Sequence, residues 1–146
     1  MRLVVGISGS SGVVYGIRLL QMLRGVPQAE THLIITTPGK RTIVEETDYT
    51  VQEVEALATH VYDNRDIGAA VASGSFRTDG MVIVPCSIRT ASALAGSTGE
   101  GLLCRAGDVT LKEGRPLVVA VREAPLHLGH LRQLTALAEL GAVIFP

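Results

Sequence analysis

The sequence predicts an α/β fold, a three-layer doubly wound parallel sheet, and three observations carry that expectation. Apolar runs of strand type alternate with segments whose apolar residues recur at the helical period, which is the pattern of successive βα units. A glycine- and serine-rich turn, Gly6-Ile7-Ser8-Gly9-Ser10-Ser11-Gly12, separates the first such run from the first helical segment. Two later runs stop abruptly at small, hydroxylated or cationic residues. Met81-Val82-Ile83-Val84 stops at Pro85-Cys86-Ser87-Ile88-Arg89-Thr90, and the run Leu117 to Val121 stops at Arg122-Glu123. In an open α/β sheet ligands gather beyond the carboxyl ends of the strands, so these three edges point to one phosphate-bearing ligand held by several loops.

The elements follow in order. Arg2 to Gly6 reads as a short buried strand and Val13 to Arg24 as a helix, with Val14, Ile17, Leu20 and Leu23 at helical spacing and Gly25-Val26-Pro27 as its stop. Thr31 to Thr36 is the second strand. Thr37-Pro38-Gly39 opens the next helix, with proline in the first turn where its missing donor costs little. Thr50 to Thr59 is a short helical stretch in which Thr50 and Glu53 fit a capping box. Tyr62 to Thr78 is irregular, with Ser73-Gly74-Ser75 as a loop. Met81 to Val84 is a strand, Ser87 to Ala95 a helix, Gly101 to Lys112 a helix, Leu117 to Val121 a strand, Leu126 to Leu140 a helix and Ala142 to Phe145 a last strand. Five strands alternating with helices imply right-handed crossovers in a Rossmann- or flavodoxin-like sheet. The closing run has the pattern of a buried strand with nothing after it, which implies a short form, a truncation or a partner subunit over that edge.

Composition narrows the function. At 146 residues the chain makes one domain, residues 1–146, and 47% hydrophobic against 18% charged residues describes a well-buried globular protein. A net charge of −1 exerts no general pull on nucleic acid or anionic membranes, so an anion site must be local. Tryptophan is absent, and three tyrosines and two phenylalanines make no stacking platform for nucleic acid. No apolar run reaches the roughly 18 residues of a spanning helix, and Met1-Arg2 leads straight into a strand rather than a signal sequence. Cys86 and Cys104 are too few for a disulfide framework or a Cys-x-x-Cys metal site. The expected setting is cytoplasmic.

Each candidate site has an ordinary structural reading beside the functional one. The Gly6–Gly12 turn suits a phosphate or flavin at a helix N-terminus, against a tight turn with a serine cap; Ser8 and Ser10 exceed what a cap needs, and the spacing is not that of the dinucleotide fingerprint. Ser87 and Thr90 either present donors to a ligand or cap the helix that follows. Cys86 reads as a small buried residue, since no basic neighbour in sequence would activate it. Lys112, Arg115 and Arg122 form a cationic set around the Leu117 strand; Arg122 is placed for bidentate phosphate binding, or for an ion pair with Glu123 or Glu113. Glu45, Glu46 and Asp48 read as a solvated acidic face. His127 and His130 share a helix face but lack a third ligand nearby, so hydrogen bonding at a helix start is the better reading, and no metal is expected.

The residues quoted, together with Gly6 to Gly16, Glu46-Thr47-Asp48, Pro85 to Thr90, Arg105 to Val118 and Arg122 to Arg132, closely resemble the flavin prenyltransferases of the UbiX/Pad family, and the resemblance spans essentially the whole chain. It implies an enzyme that alkylates reduced FMN with dimethylallyl monophosphate, without a metal, making a prenylated flavin for a separate UbiD-type decarboxylase. By position, Gly9, Ser10, Ser11, Thr36, Ser87, Ile88, Arg89, Thr90 and Arg122 would hold FMN. Ser11 and Glu46 would handle protons around N5 and the leaving phosphate, with Lys112 and Arg122 near the phosphates, which revises the solvated-face reading of Glu46. The resemblance also implies a homo-oligomer, a trimer or dodecamer, with active sites at subunit contacts. Relatives continue past the last strand into a segment that supplies a Tyr and an Arg for the dimethylallyl phosphate, and this chain ends at Pro146 without it. Two other readings remain: an FMN-dependent cysteine decarboxylase on the same fold, and an FMN-binding carrier without turnover. Against the decarboxylase, the chain lacks a Pro-x-Met-Asn-type segment and a histidine after the first loop helix.

Overall fold

The computed structural model describes residues 1–146. In chain order the elements are β1 (Arg2–Ile7), α1 (Val13–Arg24), β2 (Glu30–Ile35), α2 (Thr37–Glu46), α3 (Val51–Glu55), β3 (His60–Asp63), β4 (Gly80–Ser87), α4 (Ile88–Gly96), α5 (Gly101–Lys112), β5 (Leu117–Arg122), α6 (Leu128–Glu139) and β6 (Val143–Phe145), with one 3-10 turn at Ala70–Ala72. The sheet order is β3-β2-β1-β4-β5-β6 and every pairing is parallel. The chain winds outward from β1 in one direction and from β4 in the other, so the switch point lies between these two strands, where ligands enter such sheets.

Strand periodicity builds the two faces. On β1, Val4 packs into a core of 15 buried residues with Met81, Ile83, Leu102, Leu103 and Leu117. Its neighbours Val5 and Ile7 point the other way, into a core of nine with Ile17, Leu20, Leu33 and Ile43. Strands buried on both faces read as continuous apolar runs rather than alternating ones, which is why β1, β2 and β4 were legible in sequence. Helix α1 approaches β4 so closely that a Cβ on Gly16 would collide with the Val84 carbonyl.

The sheet has six strands where the sequence predicted five. The extra one, β3, is a four-residue edge strand that is largely exposed, so it carries no apolar run to reveal it. It ends the helical stretch early: α3 stops at Glu55 rather than Thr59, although the Thr50–Glu53 capping box forms as expected. β4 runs on to Ser87, beyond the predicted Val84, with its register against β5 shifting between Ile83 and Cys86, around Pro85. No helix is long and apolar enough to cross a membrane.

Two polar clusters are buried in this frame. Ser8 is 1% exposed; its hydroxyl donates to the Pro85 carbonyl at 3.0 Å and accepts from the Ser87 amide at 2.8 Å, while its own amide donates to Pro85 at 3.2 Å. It therefore ties the end of β1 to the end of β4. His32, 2% exposed on β2, lies between Glu30 Oε1, 2.7 Å from its Nε2, and the Tyr62 hydroxyl, 2.8 Å from its Nδ1.

Replacing Ser8 by Ala leaves the Ser87 amide without its acceptor, while the Pro85 carbonyl keeps the backbone amide of residue 8, and this costs about 1–3 kcal/mol; the expected result in urea unfolding is a loss of that size with an unchanged m-value, and no loss would show the staple to be dispensable. His32 gives a second expectation. Burial pushes its pKa below the ordinary value, outweighing its hydrogen bond to the Glu30 carboxylate. The folded state thus binds a proton less readily than the unfolded chain. Stability is full above the unfolded pKa of about 6.5 and falls as pH drops through the lower folded value. Melting temperatures between pH 7.5 and 5 should fall in the native chain and lie on a flatter line in His32→Gln; equal slopes would remove His32 as the cause.

Candidate functional site

Three loops at the carboxyl edge of the sheet meet beside the β1–β4 switch point. They border a cavity of about 1140 Å³ whose lining includes Gly9, Thr36, Ser87, Arg89 and Glu123. Thr36 caps α2 by accepting from the Gly39 amide at 3.1 Å, with Pro38 in the first turn. Ser87 caps α4 by accepting from the Thr90 amide at 3.1 Å, and its hydroxyl donates to Thr90 Oγ1 at 3.0 Å. Both helices begin at this edge, so their remaining first-turn amides and positive dipole ends favour an anion there. The capping and ligand-presenting readings of Ser87 are thus compatible: its side chain serves the cap and the cavity is lined by the same turn.

The β1–α1 turn is held by an acid rather than by a serine cap. Gly12 is the N-cap of α1 and has no side-chain cap bond. Instead the Glu46 carboxylate, at the end of α2, accepts from the Ser11 hydroxyl at 2.6 Å and from the Gly12 amide at 3.1 Å. Sequence separation hides this clamp, which corrects the serine-cap alternative. Ser8 does not face a ligand, because its hydroxyl is occupied by Pro85 and Ser87. Ser10 differs: its Oγ is buried with no hydrogen-bond partner. A hydroxyl in that state is an acceptor and donor held ready for a bound group. Gly9 is required by contact, since a Cβ there would overlap Pro38.

Most of the residues predicted to bind the ligand come together. Gly9, Thr36, Ser87, Ile88, Arg89 and Thr90 line the cavity, Ser10 sits in the turn beside Gly9, and Ser11 and Glu46 meet as described. Arg122 ends β5 opposite Ser87 in register. It forms no ion pair with Glu123 or Glu113, and its guanidinium stays available for an anion.

Lys112 is the exception. It closes α5 and pairs with Glu113 near Gly74, at the amino edge of the sheet, where Arg115 donates to the Gly74 and Phe76 carbonyls at 2.7 and 3.0 Å. The six-residue strand β5 stands between Lys112 and Arg122, a span of roughly 17 Å at 3.3 Å per residue. One protomer therefore does not bring Lys112 to its own cavity, because the α5–β5 turn returns the chain to the far edge of the sheet.

Other lining residues were not anticipated. Glu123 lines the cavity without an ion-pair partner, and its signal in sequence was its place just past the β5 run. Asn64 follows the unpredicted β3 and holds the start of α5, its Oδ1 accepting from the Leu103 amide at 2.9 Å and its carbonyl from Leu102 at 2.7 Å. Burial pushes the Cys86 thiol up to about 12, which fits its reading as a small buried residue. His127 accepts from the His130 amide at 3.2 Å, the helix-start hydrogen bond expected of that pair.

The model of the flavoprotein family matches residues 1–146. The flavin prenyltransferase UbiX of Escherichia coli K12 is 59% identical over 99% of this chain and 77% of its own length. That of Thauera aromatica is 55% identical over 100% of this chain and 75% of its own. Among solved structures, a dodecameric FMN-dependent UbiX-like decarboxylase from Escherichia coli O157:H7 superposes with a TM-score of 0.98 at 44% identity, covering 100% of this chain and 80% of that one. A UbiX protein in complex with FMN and dimethylallyl pyrophosphate gives 0.97 at 45% identity, over 99% and 77%. The peptidyl-cysteine decarboxylase EpiD gives 0.76 at 11% identity, a likeness of fold alone.

Glu46→Gln removes one of the two acceptors that hold Ser11 and Gly12. The expected result in a titration with FMN is affinity about tenfold weaker, some 1.4 kcal/mol; unchanged affinity would mean that the clamp does not shape the turn.

Proposed function

We infer that this chain, which belongs to the UbiX flavin prenyltransferases within the flavoprotein family, joins a dimethylallyl group from dimethylallyl monophosphate to reduced FMN. The observation that carries this reading is the convergence of the β1–α1, β2–α2 and β4–α4 loops on one cavity whose turn holds a buried, unpartnered hydroxyl, Ser10 Oγ. The residues present fit a flavin nucleotide: two helix N-termini and Thr36 suit its phosphate, Ser10 supplies a free hydroxyl, and the Ser87–Thr90 turn offers a long polar edge for the ring. When bound, reduced FMN would supply the nucleophile: N5 would bond to the allylic carbon and give up its proton as phosphate leaves, and C6 would bond to the far alkene carbon, its lost proton matched by one added to the alkene carbon between. The alternatives of a cysteine decarboxylase and a carrier without turnover are not favoured, the first because its likeness is confined to the fold.

The chain's own groups divide the remaining work. Arg122, free of ion pairs at the end of β5, holds the phosphate and stabilises its charge as it departs, an electrostatic contribution that is large where water is excluded. Glu46 holds the Ser11 hydroxyl at 2.6 Å, and this pair passes a proton at the flavin edge. Glu123, lining the same cavity, is a second carboxylate within reach of the reacting groups. Lys112 serves the phosphate from a neighbouring copy, since its own protomer holds it at the opposite edge. A homo-oligomer also covers the apolar side chains exposed on α6 and β6, Leu128, Leu131, Val143 and Phe145. The product passes to a UbiD-type decarboxylase.

The direct test is anaerobic incubation of the protein with FMN, a reductant and dimethylallyl monophosphate, followed by mass spectrometry of the extracted flavin. A flavin heavier by one C5 unit is expected, formed about a hundredfold more slowly by Glu123→Gln or Ser11→Ala, with FMN still bound. FMN that is bound yet recovered unmodified would overturn the transferase reading and leave the carrier.

A further inference from the structure

The sheet edge away from the cleft carries a polar cluster that the flavin chemistry does not use. Glu30 and His32 stand two residues apart on β2, so the strand period sets them on one face. His60 on β3 is the register partner of His32. The two imidazole rings stack, with centroids 4.7 Å and planes 22° apart. Both Nε2 atoms face the same carboxylate oxygen: Glu30 Oε1 lies 2.7 Å from His32 Nε2 and 3.5 Å from His60 Nε2. One oxygen of the Glu30 carboxylate and one nitrogen from each ring thus lie within 4.8 Å of one another.

We propose that Glu30, His32 and His60 form a binding site for a divalent transition-metal ion, Zn²⁺ foremost, separate from the flavin cleft. Two imidazole nitrogens and one carboxylate oxygen are the donors such ions take. Ligand bonds of about 2.0–2.1 Å in a tetrahedron set donor atoms about 3.3 Å apart, and the two distances to Glu30 Oε1 fall on either side of that value. His32 is buried, so its ring is held in a fixed orientation toward the site. Tyr62 supplies the outer partner: when the ion takes Nε2 in place of the proton that Glu30 accepts, the ring carries its proton on Nδ1 and donates it to the Tyr62 hydroxyl, which lies 2.8 Å away.

Arg2 is the competing cation. Its Nε lies 3.1 Å from Glu30 Oε1 and its Nη2 3.4 Å from Oε2, while Nη1 donates to the Arg77 carbonyl at 3.0 Å and the guanidinium sits 4.6 Å from the Phe76 ring centre. With Arg77 and Phe76 to hold it, Arg2 retains Oε2 and orients the carboxylate when the ion takes Oε1. Its charge weakens the site. Entry is open: the His60 side chain is 51% exposed, and Glu30 borders a polar cavity of about 920 Å³ that supplies water to the fourth position. An ion there clamps the short edge strand β3 onto β2.

The test titrates the full chain, stripped with a chelator, with Zn²⁺ by calorimetry and with Co²⁺ by visible absorption. One ion per chain, the absorption bands of four-coordinate Co²⁺ and a melting temperature that rises with Zn²⁺ are expected. His60→Ala and Glu30→Gln should each weaken binding about a hundredfold, at the upper end of what losing even an outer-sphere partner costs. His60→Ala should keep the metal-free melting temperature and the FMN affinity of the native chain, which separates this site from the flavin cleft. His130→Asn should bind as the native chain does, since His127 and His130 lack a third ligand. Millimolar or weaker binding of Zn²⁺, or binding that survives His60→Ala, would overturn the proposal.

Discussion

The ligand edge of this protein depends on one buried hydroxyl. Ser8 Oγ spans the gap between the ends of β1 and β4, giving its proton to Pro85 and taking one from Ser87. The β1–β4 ladder stops at Gly6 and Ile83, so beyond it the two strand ends can splay apart at the switch point. The Ser8 staple removes that freedom, and the rest of the site is assembled from it. With β1 and β4 tied, the β1–α1 turn is drawn against Pro38, where only glycine fits at position 9. α1 is drawn against the Val84 carbonyl through Gly16, and the Ser87 cap takes its place across from Thr36. Glu46 then closes the turn from outside, so the loop is fixed at both ends while Ser10 in its middle stays without a partner.

The electrostatics follow from that arrangement rather than from net charge. The chain is nearly neutral, yet two helix N-termini, capped by Thr36 and Ser87, and the unpaired Arg122 gather positive potential at one edge. Several other cations are paired away from this edge: Arg2 with Glu30, Lys112 with Glu113, and Arg65 with Asp63, whose carboxyl it holds well below the usual carboxylate range. The flavin edge therefore attracts a phosphate dianion without making the whole surface basic, and the departing phosphate of the allyl donor meets the same field.

The sequence showed what periodicity and caps encode, and missed what long-range pairing creates. β1, β2, β4 and β5 were readable because each carries an unbroken apolar run of three residues or more, and α3 began where Thr50 and Glu53 said it would. β3 was not, since His60-Val61-Tyr62-Asp63 is short and mostly exposed, and it is held by its parallel ladder to β2 rather than by apolar content. At the site, the residues next to strand ends were found by position alone. Glu46 and Ser11 were joined only by resemblance, because 35 residues separate them and no local rule pairs them. Ser8 looked like a ligand group and proved to be structural, and Lys112 looked like part of the cationic cradle and lies at the other edge of its own protomer. Both differences have one cause: a loop residue's side chain goes where the neighbouring strand end permits, which is a tertiary fact.

The most direct measurement of the central claim is a crystal structure of the chain with FMN. The account places the flavin in the β1–β4 cleft, against the Gly9, Thr36 and Ser87–Thr90 turns, with Ser10 Oγ hydrogen-bonded to it and Ser8 still bridging Pro85 and Ser87. Flavin bound away from that cleft, or Ser10 left without a partner beside it, would contradict the account.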